Sequence, residues 1–169
     1  MECKSSHFSI GDWSFIVDHG LRVRDKSVSS LNEKRLLSFR AIYEAETLMK
    51  GDYYLEVLVD HGIVGFGVAS KFHVGICQST RGLFYTSMGN LSDGCNVLST
   101  KFGPPIQAKT KIGMLVKISA NPRCLKVYFF HGDKPLGLAW DIKERFPLPL
   151  HPMVSVVGKA HFSIRRHAH

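Results

Sequence analysis

Short runs rich in Val, Ile, Phe and Tyr alternate along this chain with clusters of Gly, Pro, Asn, Asp and Ser. That spacing predicts strands separated by turns, the pattern of a sandwich or barrel. The clearest runs are FSIGDWSFIV (8–17), RLLSFRAI (35–42), YYLEVLV (53–59), IVGFGVA (63–69), KIGMLVKIS (111–119), CLKVYFF (124–130), LGLAW (136–140), MVSVVG (153–158) and AHFSIRR (160–166). Several have the period of two that half-buried strands require. Tyr53, Leu55, Val57 and Val59 share one face and Glu56 takes the other; Leu125, Val127 and Phe129 alternate with Lys126, Tyr128 and Phe130. Helix signals are confined to IYEAETLMK (42–50) and DIKERF (141–146), each a turn of helix at most. A β chain of 169 residues without helices most simply packs two antiparallel sheets face to face. No internal repeat or linker divides it, so a single domain over 1–169 is expected.

Three local features refine this. Gly65 and Gly67 weaken a strand and mark a place where backbone or a large ring comes close. In VYFFHGDKPLGLAWD (127–141), two apolar runs flank His-Gly-Asp-Lys-Pro, which predicts a hairpin with Gly132 at positive φ. The segment 86–110 is long, rich in Gly, Ser, Asn and Thr, and carries Pro104-Pro105. Long irregular connections in compact domains are often functional.

The order of three pieces resembles the SPRY family. GDYYLEVLVDHGIVGFGVAS (51–70) is similar to G-x-x-Y-x-E-V followed by G-V-G-V-A. The hairpin in 111–142 is similar to F-x-x-N-G-x-x-L-G-x-A-F, with His131 in the Asn position and Trp140 in the final Phe position. PLPLHPMVSVVG (147–158) is similar to L-Y-P-x-V-S. The resemblance covers about residues 35–164. It implies an all-β fold, a bent antiparallel, concanavalin-like sandwich of SPRY type, whose loops at one end bind a protein or peptide. Such domains are non-enzymatic interaction modules, found in ubiquitin-ligase substrate receptors, innate-immune factors and scaffolds. The C-terminal stretch is most similar to the SPRY domains of SOCS-box and F-box receptors. There, Trp-Gly helps hold an Asn-containing peptide; here Val157-Gly158 takes that place, and GLFYTSMGN (82–90) replaces a W-G-W-D strand.

Matching the loops gives a candidate partner surface. It comprises Asp60 and His61 in a turn between two strands, Tyr85, Asn90 and Asp93 in the long segment, and Val157, Gly158 and Lys159 near the C-terminus. Gly158 lets a ligand approach closely, and Lys159 pairs with an acidic side chain. The implied domain is monomeric and uses no cofactor.

Charge adds a rival reading. Lys and Arg number 22 against 14 Asp and Glu, a net charge of +8. A basic β domain binds nucleic acid when exposed aromatics stack on bases beside those cations. Tyr43, Phe72, Phe84 and Phe102 are the candidates for that role, and Trp13 is the candidate for a weaker, carbohydrate-binding reading. The basic residues are dispersed rather than clustered, which favours a solvated surface. Catalytic signatures are missing: there is no phosphate loop, nucleophile elbow or His-Glu-x-x-His. His161, His167 and His169 read as a basic tail rather than a closed metal site. No run approaches the length of a membrane-spanning helix. The four cysteines form no C-x-x-C pair, and free thiols in the cytoplasm or nucleus are the expectation.

Overall fold

In the computed structural model, the backbone is described for residues 6–10, 13–17, 21–24, 27–30, 38–43, 49–69, 82–93, 96–143, 146, 148 and 150–166. Side chains are described for 49–60, 65–69, 82–93, 96–143, 146, 148, 150–154 and 163. The strands are β1 (Ser6–Ile10), β2 (Trp13–Val17), β3 (Leu21–Arg24), β4 (Ser27–Ser30), β5 (Ser38–Tyr43), β6 (Gly51–Ala69) and β7 (Gly82–Thr86). They continue as β8 (Leu91–Ser92), β9 (Val97–Ser99), β10 (Thr110–Ala120), β11 (Arg123–His131), β12 (Lys134–Ile142) and β13 (His151–Arg166). The described residues contain no helix. Of the two helical-turn candidates, 44–48 and 144–145 lie outside the described residues, while Asp141 and Ile142 belong to β12.

Two long strands organise the fold. β6 has 19 residues and β13 has 16, and each serves both layers. The first half of β6 pairs with β10, Gly51 facing Ile118 and Val59 facing Thr110, while Phe162 to Arg166 of β13 pair with its other edge. The second half pairs with β7, Gly65 facing Thr86, and with His151 to Val156 of β13. One layer therefore runs β3-β4-β13-β6-β10-β11-β12 and the other β1-β2-β5-β13-β6-β7-β8-β9, all antiparallel. This is a bent two-layer sandwich.

The core lies between the layers. Leu55, Val57, Ile112, Met114, Val116, Val127 and Phe129 of one layer meet Phe66, Val68, Tyr85 and Leu91 of the other. Each such side chain, fully buried, contributes about 1.5–3 kcal/mol. The Phe66 and Phe129 rings meet edge to face at 6.5 Å, which ties the halves together. Trp140 fills the same core, edge-on to Phe129 at 6.2 Å.

The alternation in CLKVYFF holds: Leu125, Val127 and Phe129 are buried, and the residues between them are half-buried. Other expectations change. FSIGDWSFIV is a hairpin, with Ile10 facing Trp13 across the intervening pair. YYLEVLV and IVGFGVA are one strand rather than two, because the Asp60–Gly62 turn composition is overridden by pairing with β13 on both sides of it. MVSVVG and AHFSIRR likewise fuse into β13. Glu56 does point away from the core, yet it is 6% exposed, covered by neighbours on the outer face.

Close approach is confirmed at Gly67 and not at Gly65. A Cβ on Gly67 would stand 1.8 Å from the Leu83 carbonyl oxygen, whereas one on Gly65 would meet Phe84 at an ordinary 3.7 Å. Gly132 has φ of 62° and Asp133 no positive φ, the type II′ pattern that suits a two-residue hairpin.

Candidate functional site

The register between β6 and β13 breaks in the middle of both strands. Val59 faces Phe162 and His61 faces His161, so Asp60 is an extra residue of β6. His61 faces His161 but Ile63 faces Val156, so the four residues Val157 to Ala160 of β13 stand against the single Gly62 of β6. Such bulges bend a strand and re-aim its side chains. Here the bend carries β6 from one layer into the other, at one end of the sandwich.

Other elements converge on that end. The register from Val59 through Thr110 and from Ile112 to His131 brings the Gly132-Asp133 turn there. The Gly132 N–H donates to the Lys111 carbonyl at 2.7 Å. From the other layer, Thr86 faces Gly65, so the turn after β7 also projects that way. The two layers touch through the long segment: a Cβ on Gly103 would stand 2.6 Å from Cδ1 of Leu136 on β12. The 127–141 hairpin thus forms one wall of a rim whose other walls are the strand bend and the 86–106 segment.

That segment is ordered by its own hydrogen bonds. The Thr86 N–H donates to the Asn90 carbonyl and the Gly89 N–H to the Thr86 carbonyl, both at 2.9 Å. The Ile106 N–H donates to the Ser87 carbonyl at 2.9 Å and the Gly103 N–H to the Gly89 carbonyl at 3.1 Å. The Tyr85 hydroxyl donates to the Pro104 carbonyl.

The sequence-derived positions separate on this frame. Asp60, His61, Val157, Gly158 and Lys159 come together at the break, within strands rather than in loops. Asp60 is exposed; the side chains of His61 and of 157–159 lie outside the described residues. Tyr85 requires correction. It is fully buried, edge-on to Phe102 and tilted against Phe129, so it belongs to the core and cannot meet a partner. Asn90 stands near the rim, but its Oδ1 accepts the Lys101 N–H at 3.2 Å and holds the loop. Asp93 lies at the far end of β7, where its carbonyl accepts the Gly82 N–H at 2.9 Å and its Oδ1 the Asn96 N–H at 2.7 Å. It is a loop pin away from the break.

Residues not anticipated from sequence join the rim. Met88 at the β7 turn is 71% exposed, and Asp133 and Lys134 project from the hairpin turn. Nothing in the local sequence separates an exposed Met from a buried one; the Asp-Lys pair is an ordinary turn signal. Behind them lies a polar network on the outer face. The Tyr54 hydroxyl donates to Glu56 Oε1 at 3.1 Å, and Lys111 Nζ sits 3.6 Å from Glu56 and 2.8 Å from Asp133. Burial, then the bond to Glu56, pushes the Tyr54 phenol up to about 12. The Lys111 ammonium holds the Asp133 carboxyl below the usual carboxylate range.

Among the described residues, the stacking surface needed for nucleic acid is not formed. Phe84 is buried and Phe102 is half-buried against Tyr85. Tyr43, Phe72 and Trp13 have side chains outside the described residues. Among the described residues, no cluster of His, Cys, Asp or Glu is placed to hold a metal ion, and no helix is long and apolar enough to cross a membrane. Of the cysteines, Cys124 is described and is a free thiol.

No family model and no curated protein matches the sequence. Solved structures do match. A human SPRY domain is 16% identical over 89% of this chain and 97% of that one, with a TM-score of 0.72. The TRIM65 PSpry domain is 16% identical over 90% and 92%, with a TM-score of 0.60. Peanut lectin, solved with a nine-residue peptide, is 12% identical over 100% of each chain, with a TM-score of 0.54. The fold is therefore the bent sandwich of SPRY domains, within the broader lectin-like class.

Proposed function

We propose that this protein is a non-enzymatic interaction module that grips a segment of a partner protein at the rim where β6 and β13 break register. The observation that carries the reading is the convergence at one end of the bend, the β11–β12 turn and the stitched 86–106 segment. A stiff, preformed rim loses little entropy on binding. The SPRY-type fold supports the same reading by analogy. The peptide held by the lectin neighbour is a further instance of a related sandwich binding peptide. Asp60, His61, Val157, Gly158 and Lys159 form the centre of the surface, with Met88 and Asp133 beside them. Gly158 admits the ligand backbone, and Lys159 meets an acidic side chain.

A role as substrate receptor or scaffold in ubiquitin or immune signalling, inside the cell, fits such a module. Val157-Gly158 in place of Trp-Gly gives this rim a different wall from that of the SOCS-box receptors, so it selects a different peptide. The test is affinity capture from cell lysate with wild type and an Asp60→Lys, Lys159→Glu double variant. Partners retained by wild type and lost by a folded double variant support the rim. An identical set of partners contradicts it.

A further inference from the structure

A second surface lies at the opposite end of the same layer. Gly51, facing Ile118 beside the β10–β11 hairpin, stands about 30 Å from Asp60 along β6 at roughly 3.3 Å per residue. There a groove of about 640 Å³ is lined by Asp52, Lys117, Ile118, Pro122, Arg123, Cys124, Lys126 and Lys143, among others. That volume lies within the roughly 300–1,000 Å³ typical of binding clefts. Lys117 faces Lys126 directly across β10 and β11, a like-charge pair that costs stability unless something offsets it. Lys117 is partly offset by Asp52 at 3.5 Å. Arg123 donates to the Phe146 carbonyl and lies over the Phe146 ring at 4.8 Å, which fixes its guanidinium at the groove. Lys126 and Lys143 form no ion pair among the described residues, although Asp141 faces Lys126 in register.

We propose that this groove docks an acidic peptide segment, independently of the rim. Among the described residues of the lining, four cations against Asp52 give a positive excess, and Ile118 and Pro122 give apolar footing. Peptide suits this mixture better than nucleic acid. Among its described residues the lining holds no aromatic side chain on which a base could stack, and Asp52 repels phosphate while accepting a peptide N–H. A second copy of this chain is disfavoured by the net charge of +8.

Fluorescence anisotropy tests it, with a labelled peptide of alternating Glu and Leu, its Gln-for-Glu counterpart and labelled oligothymidylate as probes. The expected result is binding of the Glu peptide alone, weakening as salt rises. Lys126→Glu with Lys143→Glu lowers that affinity about tenfold or more, Lys126→Arg restores it, and Asp60→Lys leaves it unchanged. Both lysines are outside the core, so the double variant is expected to keep its fold, checked by circular dichroism. Equal binding of the Gln peptide overturns the proposal, as does undiminished binding by the folded double variant. Tighter binding of oligothymidylate, or self-association abolished by the double variant, assigns the groove to another occupant and overturns it too.

Discussion

The rings of Tyr85 and Phe129, one from each layer of the sandwich, lie 5.5 Å apart between centroids with their planes tilted by 32°. This contact joins the β7 strand to the β11 strand at the centre of the core, and the Tyr85 hydroxyl carries it outward to Pro104. Tyr85→Ala should therefore cost about 3–5 kcal/mol in urea unfolding, as large-to-small aromatic substitutions in cores do. Tyr85→Phe, which loses only the hydrogen bond, should cost about 0.5–1.5 kcal/mol. Equal and negligible losses would place Tyr85 at the surface.

Gly67 and Gly65 make an internal comparison. Alanine at Gly67 drives a methyl into the Leu83 backbone, which cannot retreat without breaking the β6–β7 ladder. A loss of at least about 1–3 kcal/mol is expected for Gly67→Ala, in the range of overpacked cores. Alanine at Gly65 meets only van der Waals contacts and should be close to neutral. The two melting temperatures, measured side by side, decide the matter.

Asn90 and Asp93 hold backbone rather than ligand. Asn90→Ala should speed amide exchange at Lys101, and Asp93→Ala at Asn96, because each loses the acceptor its N–H uses. Each change should cost about 0.5–1.5 kcal/mol. Unaltered exchange at both amides would release these side chains for another role.

The polar network on the outer face and the Tyr85 phenol in the core respond to pH at its extremes. Tyr54 and Tyr85 are each pushed from the ordinary value of 10 up to about 12, Tyr85 by burial alone. The neutral phenols favour the fold, so their contribution is complete below pH 10 and is lost as pH rises towards 12. Ultraviolet difference titration should show the phenols of Tyr54 and Tyr85 ionising late, one such step removed by Tyr54→Phe and another by Tyr85→Phe. Asp133 acts in the opposite sense. Its lowered pKa gives a contribution present above the ordinary carboxylate range and lost as pH falls through the lowered value. Asp133→Asn should make stability less sensitive to acid over that window.

The strands were readable wherever one face is buried and the other is not, as in β11, because the period of two is written in the residues themselves. The bend was not. Asp60-His61-Gly62 has the composition of a turn, and only pairing with β13, about a hundred residues later in the chain, keeps it in a strand. β3 and β4 were missed because LRVR and SVSS carry too little apolar content to stand out; their place comes from docking on β13. The site divided along the same line. Chain positions that meet at the break were found by matching a family pattern, whereas the burial of Tyr85 depends on Phe129 and Pro104, which no local window contains. Glu56, placed on the solvent face by alternation, is covered by Tyr54 and Lys111 instead.

Amide hydrogen exchange, with and without a captured partner, tests the binding rim most directly. The rim predicts new protection in 59–63 and 156–161, and in the turns at 87–90 and 132–133, with the rest of both layers unchanged. Protection confined to the outer strands or to the opposite end, with the β6–β13 break exchanging as it does in the free protein, would contradict it.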